Sequence, residues 1–277
     1  MRPRGGNRMQ DMLGLYASIG VLAGVVQLAY LAVAFGVGGV LFARGRRSGE
    51  WTQWLLGLHL ILSMGIGYLL TCFGTVAVEY NVGLPTAVVF AVLSVGYAAS
   101  SSGLTIALHF TRRVFRPGRG LPFAYAAASG AAIWMGWLCY VISGDVAQGR
   151  FEGTWFWLMT GGMLACNVWV AFEPVSYYAQ LRRRVRLGLC EPIVADRVML
   201  WGVGSVARAI LVLAGPLSSR YMHAVAGSEA ERLSTGAMVL VMSSLLGLVT
   251  AGTYWLAFQP PRAYLRWVEQ RAARQRA

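Results

Sequence analysis

Few side chains in this sequence are able to do chemistry, and one cation stands apart from the rest. Arg208 lies inside an apolar run, and at about 1.5 Å per helical residue the step from Arg197 carries it about 16 Å into a membrane, close to the midplane. A guanidinium at that depth is costly unless it faces a partner or water. It therefore belongs on the inner face of a bundle, either binding a small ligand or ion or locking helices together. Trp201, Gly204, Ser205 and Gly215 share its helical stripe, where small residues let neighbouring helices approach closely. Asn167 sits at much the same depth in the preceding run, and Gln27 lies near the middle of the first, so three polar groups share a level. Glu173 lies about 9 Å nearer the cytoplasm, within reach of a long arginine side chain. It is the expected counter-ion of Arg208, with Asn167 as a second partner; the rival reading is that Glu173 and Pro174 mark the end of their helix. With His59, a turn or two inside the second run, these residues form the candidate ligand-binding or buried polar network.

Other chemistries find no support in the spacing. His59, His109 and His223 make no pair at ligand spacing within one helix, so haem would need two of them brought to one level across a bundle. Cys72, Cys139, Cys166 and Cys190 are far apart, with no Cys-x-x-Cys and no neighbouring His, and the expectation is neither disulfide nor metal. All 24 basic residues are Arg. Without lysine no Schiff base to retinal or pyridoxal can form, which excludes a rhodopsin-type photoreceptor. The Ala-Ala-Ser-Gly at 127–130 and the His223-Ala-Val-Ala-Gly227 stretch only faintly echo an intramembrane serine protease, since the glycine before the serine is missing and His223 is expected in a loop. No P-loop, paired-Asp phosphotransferase signature or His-Glu-x-x-His is present. The expectation is no catalytic residue, no cofactor and no enzyme. Ser100, Ser101 and Ser102 suit bonds to their own helix backbone, close packing or the lining of a polar path.

The elements that must position these residues follow from composition. With 57% hydrophobic and 13% charged residues and a mean hydropathy of +0.55, the chain is too apolar for a soluble globule. The charges come in bursts between runs long enough to cross a hydrocarbon core of roughly 30 Å as helices of about 20 residues. The expected spans are about 12–42, 54–78, 84–110, 122–143, 155–178, 197–219 and 235–258. The fold class is therefore all-α: a polytopic seven-helix transmembrane bundle over residues 1–259, followed by a basic amphipathic tail at 260–277. The first span is too long for a signal peptide's apolar region and should remain as an anchor. Gly20-x-x-x-Gly24 within it is expected to serve internal packing.

Orientation follows from arginine. With the N-terminus outside and the C-terminus in the cytoplasm, 17 Arg fall in cytoplasmic segments and six outside, the three in the N-terminal tail pulling against the bias. Trp51 and Trp54 near one face, and Trp155 and Trp157 near the other, fit interfacial belts. The net charge of +13 thus marks topology and not a nucleic-acid surface, since arginines sit at the ends of apolar runs. The tail, with Tyr264, Leu265, Trp267 and Val268 among arginines, suits either a helix lying on anionic lipid at the cytoplasmic face or a solvated basic segment.

The stretches LRRRVRLGLCEPIVADRVMLWGVGS (181–205) and WLAFQPPRAYLRWVEQ (255–270) resemble seven-helix membrane modules of largely uncharacterised bacterial proteins, some of them sensor regions ahead of signalling output domains. The resemblance implies a receptor-like scaffold in a bacterial inner membrane and carries over no active-site residue. No output domain is expected after the last helix here, and a signal is expected to pass to a separate protein partner. The leading expectation is a sensor or signalling component with a small-ligand pocket near Arg208; the alternative is a transporter subunit or a structural or assembly subunit of a membrane complex.

Overall fold

The computed structural model describes residues 5–79, 82–118, 120–148, 151, 153–224 and 229–276, and every regular element among them is helical. The first span is α1 (Gly5–Ser48); the second is α2 (Trp51–His59), a π-helical segment (Leu60–Gly67) and α3 (Tyr68–Glu79) in unbroken succession. The remaining spans are α4 (Thr86–Phe115), α5 (Leu121–Ile142), α6 (Thr154–Arg186), α7 (Pro192–Ala224) and α8 (Glu229–Phe258), and α9 (Arg262–Arg276) follows. Seven of these segments are long and apolar enough to cross a membrane. The protein is thus a polytopic membrane bundle, and an odd number of crossings sends its two ends to opposite faces.

The helices outrun the apolar patterns that announce them. α6 continues through Pro174 to Arg186, and α7 begins at Pro192 and not near Arg197. Arginines in those extra turns keep their heads in water while the backbone stays helical, so hydropathy ends before the helix does. Gly188, at φ +72°, stops α6 in the left-handed conformation that glycine adopts without strain, and its N–H bonds Val185 O at 3.1 Å. His223, expected in a loop, is still within α7, which runs to Ala224.

Six spans form a ring. α1 packs on α2 and the π-helical segment, which together with α3 pack on α4; α4 packs on α6, α6 on α7, α7 on α8, and α8 returns to α1, while α5 lies outside against α4 and α6. Aromatic clusters gather toward both ends. Tyr97, Tyr140, Phe151 and Phe156 gather near the face where the second span ends and the fifth begins, with Tyr140 and Phe156 centroids 5.6 Å apart. At the opposite face Phe110 and Phe115 close on Trp201 at 5.4 and 5.6 Å. Between them the core runs through Leu60, Met64, Leu104 and Met159.

In the first half of α1 one face turns away from this core. A Cβ at Gly20 or Gly24 would meet open space, and Val21, Leu22, Val25 and Leu28 are all more than half exposed. The expected internal packing by this motif is therefore not realised. Close approach of the first two spans falls instead to Gly38, where a Cβ would meet Ile61 Cγ1 at 2.9 Å. At the other end α9 packs on α7: Val268 is buried, the Tyr264 hydroxyl donates to Asp196 Oδ2, and Trp267 faces outward with Arg271 over its ring at 5.4 Å.

Candidate functional site

The site begins with one residue that has no side chain. Gly103 of α4 lies so close to the second span that a Cβ there would sit 2.5 Å from Ser63 Cβ and 3.1 Å from the His59 carbonyl oxygen. The missing Cβ lets α4 press against the turn from His59 to Ser63, where the α-helix widens into its π-helical segment. Such segments are rare and tend to mark functional positions. The same approach brings Gly103 O to 2.8 Å from His59 Nδ1.

That bond sets the chemistry of the imidazole. A carbonyl oxygen only accepts, so Nδ1 carries the proton and Nε2 presents a lone pair. Arg208 of α7 meets it there, with Nη1 3.2 Å from His59 Nε2, and its Nη2 donates to Ser63 Oγ. The histidine is held as the neutral Nδ1–H tautomer between a pure acceptor and a pure donor. Arg208 is 7% exposed, and His59 and Ser63 are each 3% exposed. Among the described residues no carboxylate pairs with Arg208, so a buried cation rests on neutral acceptors alone.

Arg208 also lines a cavity of about 610 Å³. From Ser63, Leu104, Met163 and Arg208 at mid-depth, the lining runs to Val76 near the end of the second span, Phe156 at the start of the fifth and Pro216 late in the sixth. Because successive spans alternate in direction, those three residues lie toward one face, and the cavity extends from the level of the guanidinium toward it. Tyr30, Tyr68, Tyr97, Thr71, Ser100 and Thr160 are among the polar residues of a mainly apolar lining.

Of the residues singled out by sequence, His59 meets Arg208 directly and Gln27 lines the same cavity. Asn167 is buried but donates to Met163 O of its own helix at 2.7 Å and does not partner Arg208. Glu173 is not the counter-ion of Arg208: Arg116 Nε lies 3.1 and 3.2 Å from its two oxygens, and Trp169 Nε1 donates to Oε1 at 3.0 Å. Nor does Glu173 mark a helix end, since α6 continues past it. Both corrections have one cause. α6 and α7 are neighbours as expected, but the guanidinium turns toward the second span, where acceptors lie at its own depth, while Glu173 sits near the end of α4 that carries Arg116.

Ser63 and Gly103 are the residues missed. The four-residue spacing of His59 and Ser63 was a usable signal, since it places both on one helical face. Of the serine run in α4, Ser102 donates to Ala98 O of its own helix and Ser100 lines the cavity; Ser101 Oγ is buried with no hydrogen-bond partner among the described residues. All four cysteines are free, and among the described residues no three metal-ligating side chains come together. No family model, curated protein or solved structure matches the chain. What the chain belongs to therefore stands at the level of architecture: a seven-span membrane bundle with a buried arginine at the inner end of a cavity.

Proposed function

We propose that this protein is a sensor or signalling component of a bacterial inner membrane, with its N-terminus outside. A small ligand enters the cavity from the outer face and reaches the guanidinium of Arg208. The observation that carries this reading is the buried cation that lines a cavity and, among the described residues, hydrogen-bonds to His59 and Ser63 with no carboxylate beside it. An unpaired charge at mid-membrane is retained at a cost that structure alone does not require, and such residues mark ligand or ion paths. The volume falls in the range of small-molecule sites.

The same bonds suggest the output. A ligand that competes for the Arg208 N–H groups would loosen the links to His59 and Ser63, and with them the π-helical segment and its seat on Gly103. α7 carries Arg208 at its middle and, toward its N-terminal end, Trp201 and Asp196, which hold the far aromatic cluster and α9. A shift of α7 would therefore reach the basic face where a cytoplasmic partner docks.

The test is to tag the protein in its host, extract it into polymer nanodiscs, and identify by mass spectrometry the small molecules and proteins that stay bound. A retained ligand that disappears in folded Arg208→Leu protein, together with a co-purifying kinase, cyclase or regulator, is the expected result. An unchanged ligand profile in Arg208→Leu would sink the pocket, and a transport ATPase as partner would move the protein to transport.

A further inference from the structure

We infer that the ligand of the Arg208 cavity is an amphipathic monoanion, with a single carboxylate against the guanidinium and an apolar body along the cavity wall. The inference rests on the reading of the cavity as a ligand site and deepens it. Its first support is charge. Of the described residues that line the cavity, Arg208 alone carries a formal charge at neutral pH, the others being apolar, hydroxyl, thiol or amide side chains. One negative group balances it. A neutral ligand would leave the cation uncompensated in a low-dielectric interior, and a dianion would replace one buried charge by another of opposite sign.

The second support is geometry. Arg208 spends one N–H of each terminal nitrogen on His59 and Ser63 and keeps further donors in the planar fork that fits a carboxylate. Tyr30, Tyr68, Tyr97 and Ser100, which carry hydroxyls, line the same space and make it less hostile to a carboxylate than a purely apolar cavity would be. The third is the wall beyond. From Arg208 to Pro216 the helix rises about 12 Å, and Leu211, Val212, Leu69, Phe73 and Val76 present apolar surface along that stretch. An alkyl chain gains about 0.8 kcal/mol for each methylene it buries there.

Decanoate added from water, oleate placed in the bilayer, decanol and decyl phosphate are titrated against the purified protein in nanodiscs, read by tryptophan fluorescence with empty nanodiscs subtracted. Decanoate or oleate should bind, and which of them does so separates a water-borne from a bilayer-borne carboxylate. Arg208→Gln should weaken that binding about 30-fold, the scale of a lost charge-assisted bond. Arg208→Lys, which keeps the charge without the fork, serves where the glutamine variant fails to fold and should retain part of the affinity. Gly215→Leu adds bulk at a lining position whose Cβ meets open space, so it folds without strain and should weaken carboxylate and alcohol alike. Decanol or decyl phosphate binding as tightly as decanoate, with Gly215→Leu weakening both, would overturn the monoanion and leave the cavity a ligand site. Carboxylate binding unmoved by both substitutions places the amphiphile elsewhere and overturns the inference. Failure of every amphiphile does so too, while a native ligand retained on purification would still uphold the cavity.

Discussion

Two arginines of this molecule sit against acceptors of different kinds. Arg116, at the end of α4, has a side chain 54% exposed and pairs with Glu173, itself only 9% exposed. Arg208, at mid-membrane, is 7% exposed and rests on a neutral imidazole and a hydroxyl. Electrostatics would favour the reverse, because a charge is most expensive where the dielectric is lowest and water cannot help it. The carboxylate has gone to the arginine that needs it less. The Arg116 pair closes the bundle near its surface, tying the third span to the fifth, and is complete as it stands. Arg208 is incomplete in the same sense, which is why the deep site is the one to which a function is ascribed.

The comparison breaks first at Gly103. Leucine there drives its side chain into Ser63 and the His59 backbone, separating α4 from the second span and removing the acceptor that holds the imidazole. The expected loss is about 3 kcal/mol of stability, from overpacking, together with loss of ligand binding. Thermal unfolding in nanodiscs and a binding titration check both. An unaltered melting temperature would mean that the close approach of α4 is not needed.

A sharper division comes from removing each cation without ligand. Arg116→Ala leaves the Glu173 carboxylate with Trp169 alone, at an expected cost of about 1–2 kcal/mol, reduced because water reaches Arg116. Arg208→Gln removes a charge that has no counter-charge, and stability should stay within about 0.5 kcal/mol or rise. Should Arg208→Gln prove the more damaging variant in ligand-free protein, the deep arginine is a structural lock and the comparison collapses. His59→Leu lies between these two: it strips Gly103 O and Arg208 of a partner each and should cost about 1 kcal/mol by the same unfolding measurement.

What was legible in the sequence divides along the same line. Position along a helix was legible, since helical rise alone placed Arg208 well inside its span and Glu173 nearer the cytoplasmic end expected for its own. Direction was not. Which neighbour a side chain meets depends on the rotation of each helix in the packed bundle, and Arg208 found His59 and Ser63 across 149 and 145 positions of chain. Glu173 found Arg116 across 57. The spans were legible as apolar runs, but the arginine-bearing turns of α6 and α7 lay beyond what hydropathy reports. The π-helical segment had no sequence signal of its own, because its glycines and apolar residues suit an ordinary helix equally well.

The most local expected effect lies at α9, the element farthest from the cavity in the proposed path of output. Burial, then its hydrogen bond to Asp196, holds the Tyr264 phenol well above its ordinary value. The fold thus favours the protonated phenol. Its contribution to the docking of α9 is complete below the unfolded value near 10 and is lost as pH rises beyond it toward the folded one. Tyr264→Phe removes the bond at any pH and should cost at most about 1 kcal/mol, read as roughly fivefold faster hydrogen exchange confined to residues 262–276. In the wild type, exchange of that segment should be independent of pH below about 10 once corrected for its intrinsic rate, and the phenylalanine variant should show no added dependence above it. If the variant also alters ligand binding at Arg208, the middle and the N-terminal end of α7 are coupled and, by reciprocity, ligand should tighten or loosen α9 to the same degree. If exchange rises while binding is unmoved, α9 is only a surface attachment, and the signal must leave the bundle by another helix.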